Sequence, residues 1–139
     1  MPHAATVLTF DTPTRGLLEV TRPIIAWTQT RAATTGLLTV YCRHTSCSLL
    51  IQENAAGEVR TDLEAFFEQV APEDPDRYAH DDEGLDDMPA HIRAALTAVQ
   101  VSIPVIGGRL VLGTWQGIYL FEHRRRPHRR ELALHLGFE

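Results

Sequence analysis

Residues 109–123 carry the longest β pattern in the chain, and it is apolar on both sides. Leu110, Leu112, Thr114, Gln116, Ile118, Leu120 and Glu122 fall on one face; Val111, Gly113, Trp115, Gly117, Tyr119, Phe121 and His123 fall on the other. Side chains alternate across a strand, so a strand with one wet face is apolar only at every second position. Here both faces need cover, from helices or from another subunit. Gly113 and Gly117 flank Trp115 and remove side chains on its face, leaving room for a ligand or a backbone.

The segments before it read as strands and helices in alternation. Residues 4–10 and 16–20 are strands split by the turn chemistry of Asp11, Thr12, Pro13 and Thr14. Thr21 is placed to cap a helix with Pro23 in its first turn, running through Ile24 and Trp27 to about Ala33. In the strand 37–44, Leu38, Val40, Cys42 and His44 share a face; in the strand 47–53, Cys47, Leu49, Ile51 and Glu53 do. His44 and Glu53 thus each end an apolar row, where an ionisable group needs a partner. Asn54 precedes a helix over 57–70 whose stripe is Val59, Leu63, Phe66, Phe67 and Val70, closed by Pro72 and Pro75. Asp87 reads as the N-cap of a short helix, with Pro89 in the first turn and Ile92, Ala95, Leu96 and Val99 as the buried stripe. Residues 101–105 make a strand that Pro104 marks as an edge or an end, Gly107-Gly108 a turn, and residues 131–138 a last strand. No repeat or linker divides the chain, so residues 1–139 read as one α+β domain.

A hydrophobic content of 44% in 139 residues supplies one ordinary core. The apolar runs are of strand length, too short to cross a bilayer, and no basic region followed by an apolar run opens the chain. A cytoplasmic protein without a membrane partner is the expectation, with Cys42 and Cys47 as reduced thiols. A formal charge of −5 speaks against a general nucleic-acid binder. The charge is uneven: acids crowd residues 73–87, and Arg124, Arg125, Arg126, Arg129 and Arg130 crowd the C-terminal end, where a solvated face is the ordinary explanation.

Between these lies a loop with more ligands than a solvated tip needs. His80 and His91 bracket Asp81, Asp82, Glu83, Asp86 and Asp87, and the stretch runs into the first turn of the short helix. His91 falls beside the apolar stripe there and faces back toward the loop. The pattern points to a metal or phosphate-handling site. The plainer alternatives are a loop histidine bonded to a carboxylate and a water-exposed helix start.

His44-Thr45-Ser46, Glu53-Asn54-Ala55, Tyr78-x-His80, Asp86-Asp87-x-x-x-His91 and above all Leu112-Gly113-Thr114-Trp115-Gln116 resemble the YjbQ family, also labelled secondary thiamine-phosphate synthase. The resemblance runs over nearly the whole chain in order. It implies a compact α+β fold with β-sandwich-like sheets, a homotrimeric assembly, and a polar pocket falling on His44, Glu53, His80, His91, Trp115, Gln116 and Glu122. Where some relatives carry a further histidine this chain has Pro89.

In that frame His44, His80 and His91 are the expected ligands of a divalent ion (zinc, magnesium or manganese). Glu53, His44 and Gln116 are the expected catalytic groups, with Glu53 a base or an orienter of water. Trp115 and Glu122 would line the substrate, a small phosphorylated metabolite, with Arg124 and Arg130 gripping its phosphate. Asp86 and Asp87 would serve as a cap and as a partner fixing a histidine tautomer. The reaction implied is the joining of a pyrimidine diphosphate to a thiazole phosphate. The alternatives are metal-assisted hydrolysis of a phosphoester or ester, and a trimer that binds a metabolite or metal without turnover.

Overall fold

The structure is a computed structural model describing residues 2–139. Among these residues the elements run β1 (His3–Thr12), β2 (Gly16–Glu19), α1 (Thr21–Gln29), β3 (Thr35–Cys42), β4 (Cys47–Glu53), α2 (Gly57–Val70), α3 (Asp87–Leu96), β5 (Gln100–Ile106), β6 (Arg109–Leu110), β7 (Gln116–Glu122) and β8 (His128–Phe138). The strands form two antiparallel sheets, ordered β1-β8-β3-β5-β6 and β2-β7-β4. This is the α+β arrangement the patterning implies.

The core lies between the sheets. Leu38, Val40, Ile103, Val105, Leu132, Leu134 and Leu136 from the larger sheet meet Cys47, Leu49, Ile118 and Leu120 from the smaller. Each fully buried aliphatic side chain contributes about 1.5–3 kcal/mol relative to leaving it in water. β7 is central in the small sheet and buried from Gly117 to Glu122. Its second face meets the helices: the Phe67 ring of α2 stands edge-on to Phe121, centroids 5.2 Å apart. The demand that residues 109–123 be covered on both sides is met for their second half.

Their first half is different. The strand stops at Leu110 and resumes at Gln116. Between them a turn closes through Gln116 N–H to the Gly113 carbonyl (3.0 Å) and Gly113 N–H to the Gln116 side-chain oxygen (2.8 Å). Trp115 is left 62% exposed on it. The space at Gly117 is not for a ligand: a Cβ there would stand 2.7 Å from Glu19 Oε2 and 3.0 Å from Asn54 Nδ2.

Helix starts also depart from expectation. Thr21 does not cap α1; its hydroxyl donates to Glu19 and accepts from Ile118 N–H. α1 ends at Gln29, short of Ala33, with Ala32 in the left-handed region at φ 51°. Asn54 donates to Glu19 and leaves α2 without a side-chain cap. On α2 only Phe67 is buried. On α3 the buried residues are Asp87, Pro89, Ala90, Arg93 and Ala94, whereas Leu96 is 58% exposed. Two charged side chains occupy the inward face because each finds charge or carbonyl partners beneath it. Pro104 lies on β5, which pairs with β3 along its length and with β6 only at Val105 and Ile106. Gly107 and Gly108, φ 59° and 80°, make the primed hairpin turn between β5 and β6. Both cysteines are free and buried.

Candidate functional site

The acidic loop and the first turns of α3 bring His80, Asp87 and His91 together, one donor atom of each within 4.8 Å of the others. Asp87 and His91 are four apart on a helix and share a face. Gly84, at φ 102°, lets the loop reverse so that His80 reaches the same point. His80 Nε2 stands 2.7 Å from Asp87 Oδ2 and His91 Nε2 stands 3.3 Å from that same oxygen. The other oxygen, Oδ1, takes Arg124 Nη1 at 2.7 Å. Arg124 Nη2 donates to the Glu83 carbonyl, and its Nε lies 3.2 Å from Asp86 Oδ2 without hydrogen-bond alignment. Asp86 itself accepts the Arg125 backbone N–H at 2.8 Å. The carboxylate at the centre is thus buried and fixed, and His80 sits exposed at the rim.

Burial pushes the Asp87 carboxyl up, but the His80 hydrogen bond and the charges of His91 and Arg124 outweigh it and hold the group below the usual carboxylate range. That same bond is the main cause raising the His80 imidazole above its ordinary value, with Asp82, Asp87 and Glu83 adding to it.

The orientation of His91 is the telling detail. Its Nδ1 lies 3.1 Å from the Thr45 carbonyl, which can only accept, so Nδ1 carries the proton. Nε2 then faces a carboxylate oxygen 3.3 Å away. Two electron-rich atoms facing at that distance repel unless a proton or a cation lies between them. Two imidazole nitrogens and a carboxylate oxygen are also a donor set that divalent transition ions accept, with positions left open. The residues fit such an ion, and the Thr45 carbonyl and Arg124 hold two of the ligands in place as outer partners do.

His44 does not join the group. Its Nε2 accepts the Glu131 backbone N–H at 3.0 Å, and burial is the main cause lowering its pKa from the ordinary value. Arg130 and Arg124, expected to grip phosphate, are already neutralised. Arg130 donates from Nε and Nη2 to the two oxygens of Glu122, at 2.7 and 2.5 Å. Glu122 is 1% exposed and also accepts from Thr12 Oγ1 and from the His123 and Arg124 backbones. Desolvation pushes its carboxyl up, yet these partners hold it below the usual range. Its oxygens are therefore occupied from within.

Glu53, Trp115 and Gln116 lie at the far end of the small sheet. Glu53 pairs with Gln116, and Cys47 with Glu122, in one antiparallel ladder. Six residues along that ladder are about 20 Å. Within one chain, Glu53 cannot direct a water at the histidine pair.

Asp87 is the residue whose role the sequence understates; its spacing of four from His91 is the available signal. His123, buried, ends a row that alternation already marks as covered, whereas Arg93, also buried, does not stand out from the sequence as an inward polar group. Nothing in the apolar stripe of its helix announces it.

Fold and site together define a small α+β protein of two stacked antiparallel sheets with a carboxylate-centred histidine cluster at one sheet end. The chain belongs to the UPF0047 protein YjbQ-like family, whose model matches residues 6–137. It is 53% identical over 133 residues to UPF0047 protein sll1880 of Synechocystis sp., covering 96% of this chain and 90% of that one. It is 50% identical over 90 residues to UPF0047 protein YjbQ of Salmonella typhimurium, covering 65% and 64%. Among solved structures, the conserved hypothetical protein TT1486 of Thermus thermophilus matches at a TM-score of 0.76 and 32% identity, covering 93% of this chain and 97% of that one. A YbjQ-like protein of unknown function from Sulfolobus solfataricus matches at 0.87 and 18% identity, covering 99% and 100%, a likeness of fold.

Proposed function

We propose that this protein is a metal-dependent enzyme acting on a small phosphorylated metabolite at the His80–Asp87–His91 centre. In the reading the family suggests, it is a transferase that joins a pyrimidine diphosphate to a thiazole phosphate to give thiamine phosphate. The observation that carries the proposal is the convergence of His80, Asp87 and His91, one ligand atom of each within 4.8 Å of the others, with His91 Nδ1 on the Thr45 carbonyl and Nε2 facing Asp87. In that reaction the thiazole nitrogen forms a bond to the pyrimidine's methylene carbon, the carbon–oxygen bond breaks, and pyrophosphate departs with the electron pair. A bound zinc, magnesium or manganese ion supplies charge neutralisation to the leaving group. The chain's own residues do the positioning: Arg124 holds Asp87, the Thr45 carbonyl holds His91, and His80 stands at the open rim.

Assembly as a homotrimer belongs to the same proposal. The outer face of the larger sheet exposes Val7, Leu37, Tyr41 and Ile106, which favours contact with another copy. A neighbouring copy would also supply Glu53, Trp115 and Gln116, which one chain keeps about 20 Å from its own cluster.

Metal titration into chelator-treated protein, followed by an assay with both organic substrates, tests this. Saturable metal uptake is expected, weakened in Asp87→Asn or His91→Ala by more than the roughly 10–100-fold that losing an outer partner costs, with product formed only when metal is restored. Full activity in His80→Ala and His91→Ala removes the centre from the chemistry. Light scattering gives the assembly, and a mixture of His91→Ala with Trp115→Ala subunits should regain activity if sites are shared between copies.

A further inference from the structure

A cavity of about 160 Å³ is lined by Thr14, Arg15, Gly16, Glu64, Glu68, Arg93, Phe121 and Arg125. That is space for about five waters. Three guanidinium groups bound it, and they are not equally satisfied. Arg15 pairs with Glu73 at 2.8 Å and Glu68 at 2.9 Å. Arg125 takes the same Glu73 oxygen at 2.6 Å. One carboxylate oxygen therefore serves two cations.

Arg93 has less. Its side chain is withdrawn from water, the residue being 3% exposed. Its one hydrogen bond runs from Nη2 to the Ala71 carbonyl at 3.2 Å, and its Nε has no partner. Among the described residues no carboxylate pairs with it. A guanidinium carries five N–H donors and a charge that cannot be given up, so burying it without an anion is expensive. The carboxylates on the cavity wall are turned to other work. Glu64 accepts the Leu17 backbone N–H, and Glu68 bonds Arg15 from a side chain 61% exposed, free to swing outward.

We infer that this cavity binds a small tetrahedral oxyanion, of the inorganic phosphate or phosphomonoester class. Arg93 is its buried wall, Arg15 and Arg125 bound it on the more open sides, and Thr14 also lines it. A tetrahedral oxyanion offers acceptors in several directions at once, which suits forked donors converging from separate elements better than a single carboxylate does. The site is distinct from the histidine cluster but mechanically next to it: Arg124 grips Asp87, while the Arg125 backbone N–H bonds Asp86 and its side chain walls the cavity. The inference stands without the metal centre and is tested with that centre disabled.

Inorganic phosphate is titrated into full-length protein in excess chelator at constant ionic strength, read by calorimetry and by phosphorus NMR. Saturable binding of one phosphate per chain is expected. Arg125→Ala, on a side chain 58% exposed and safe for folding, should weaken it by about tenfold or more. Arg93→Met should abolish it, with a thermal melt confirming that this variant folds. His91→Ala should leave it unchanged. Absence of saturable binding by wild type, binding that survives Arg125→Ala at full affinity, or binding lost in His91→Ala would each overturn the assignment.

Discussion

His123 gives the sharpest test of how this fold handles a buried ionisable group. The ring is 1% exposed, bonded through Nε2 to Ser48 Oγ at 2.8 Å, and its Nδ1 has no partner. Burial, with the positive charge of Arg93 beside it, pushes the imidazole down from 6.5 to about 3. In the unfolded chain the ring titrates near its ordinary value of about 6.5. Between those two values the unfolded chain binds a proton that the folded chain refuses, so stability falls as pH falls through the window. At pH 5 the loss from this one ring is about 2 kcal/mol, rising to about 4 kcal/mol at pH 3. For a chain of this length about 2 kcal/mol corresponds to roughly 7 °C in Tm. The perturbation is His123→Gln, which keeps a polar side chain facing Ser48 and cannot titrate in this range. Urea denaturation of both proteins at pH 7.5 and pH 5, in buffers without phosphate or sulfate, isolates the effect, because every carboxylate acts on both proteins alike. Wild type should lose about 2 kcal/mol more than the variant between the two pH values. Parallel pH dependence would show that His123 is not held neutral by burial, and the reasoning from its buried surroundings would fail with it.

The Glu122–Arg130 pair predicts a second result: Glu122→Gln should cost about 3–5 kcal/mol in urea denaturation, since it strands a buried guanidinium. Because the folded carboxyl is held below its ordinary value, the wild-type advantage is present above the unfolded carboxylate range and is lost as pH falls through the lower, folded value. Gly36→Ala should cost more than Gly117→Ala in the same assay. At Gly36 a new Cβ runs into the Gly137 carbonyl and comes within 2.9 Å of Phe138 Cβ, in β8 itself, whereas at Gly117 the nearest atoms are the ends of Glu19 and Asn54, which can turn aside, and Asn54 Cβ at 3.1 Å is the one fixed contact. Overpacking of the first kind costs about 1–3 kcal/mol. Neither Cys42 nor Cys47 should react with a bulky thiol reagent until the protein unfolds, as both are buried in the inter-sheet core.

Most of the strands are legible in the sequence because their cause is local. Alternation in residues 37–42 and 47–53 places Leu38, Val40, Cys47 and Leu49 inside, as found. The inward face of α3 departs from its apolar stripe for a physical reason. That face carries Asp87 and Arg93, and an apolar stripe cannot show that a charged residue is inside when its partners come from residues 71, 80 and 124. The break at residues 111–115 is hidden likewise: the Gly113–Gln116 turn is made by a side chain bonding back to a backbone N–H, which alternation does not encode.

The site divides along the same line. His80 and His91 are readable as a pair because one loop and one helical turn join them, and spacing over so short a stretch is local information. His44 stands at the end of an apolar row, but an imidazole there has two possible uses, and β8 decides between them by bringing the Glu131 N–H onto Nε2. The arginines show the same limit more sharply. Arg124 and Arg130 stand out as a cluster in the sequence and prove to be already matched by carboxylates, while Arg93, unremarkable in a helix, is among the described residues the buried arginine left without an anion. Charge density along a chain therefore points to Arg125 at the cavity wall but passes over the buried Arg93. What identifies the latter is buried charge left over after the fold has made its own pairs, and among the described residues that buried remainder is Arg93 on the inward face of α3.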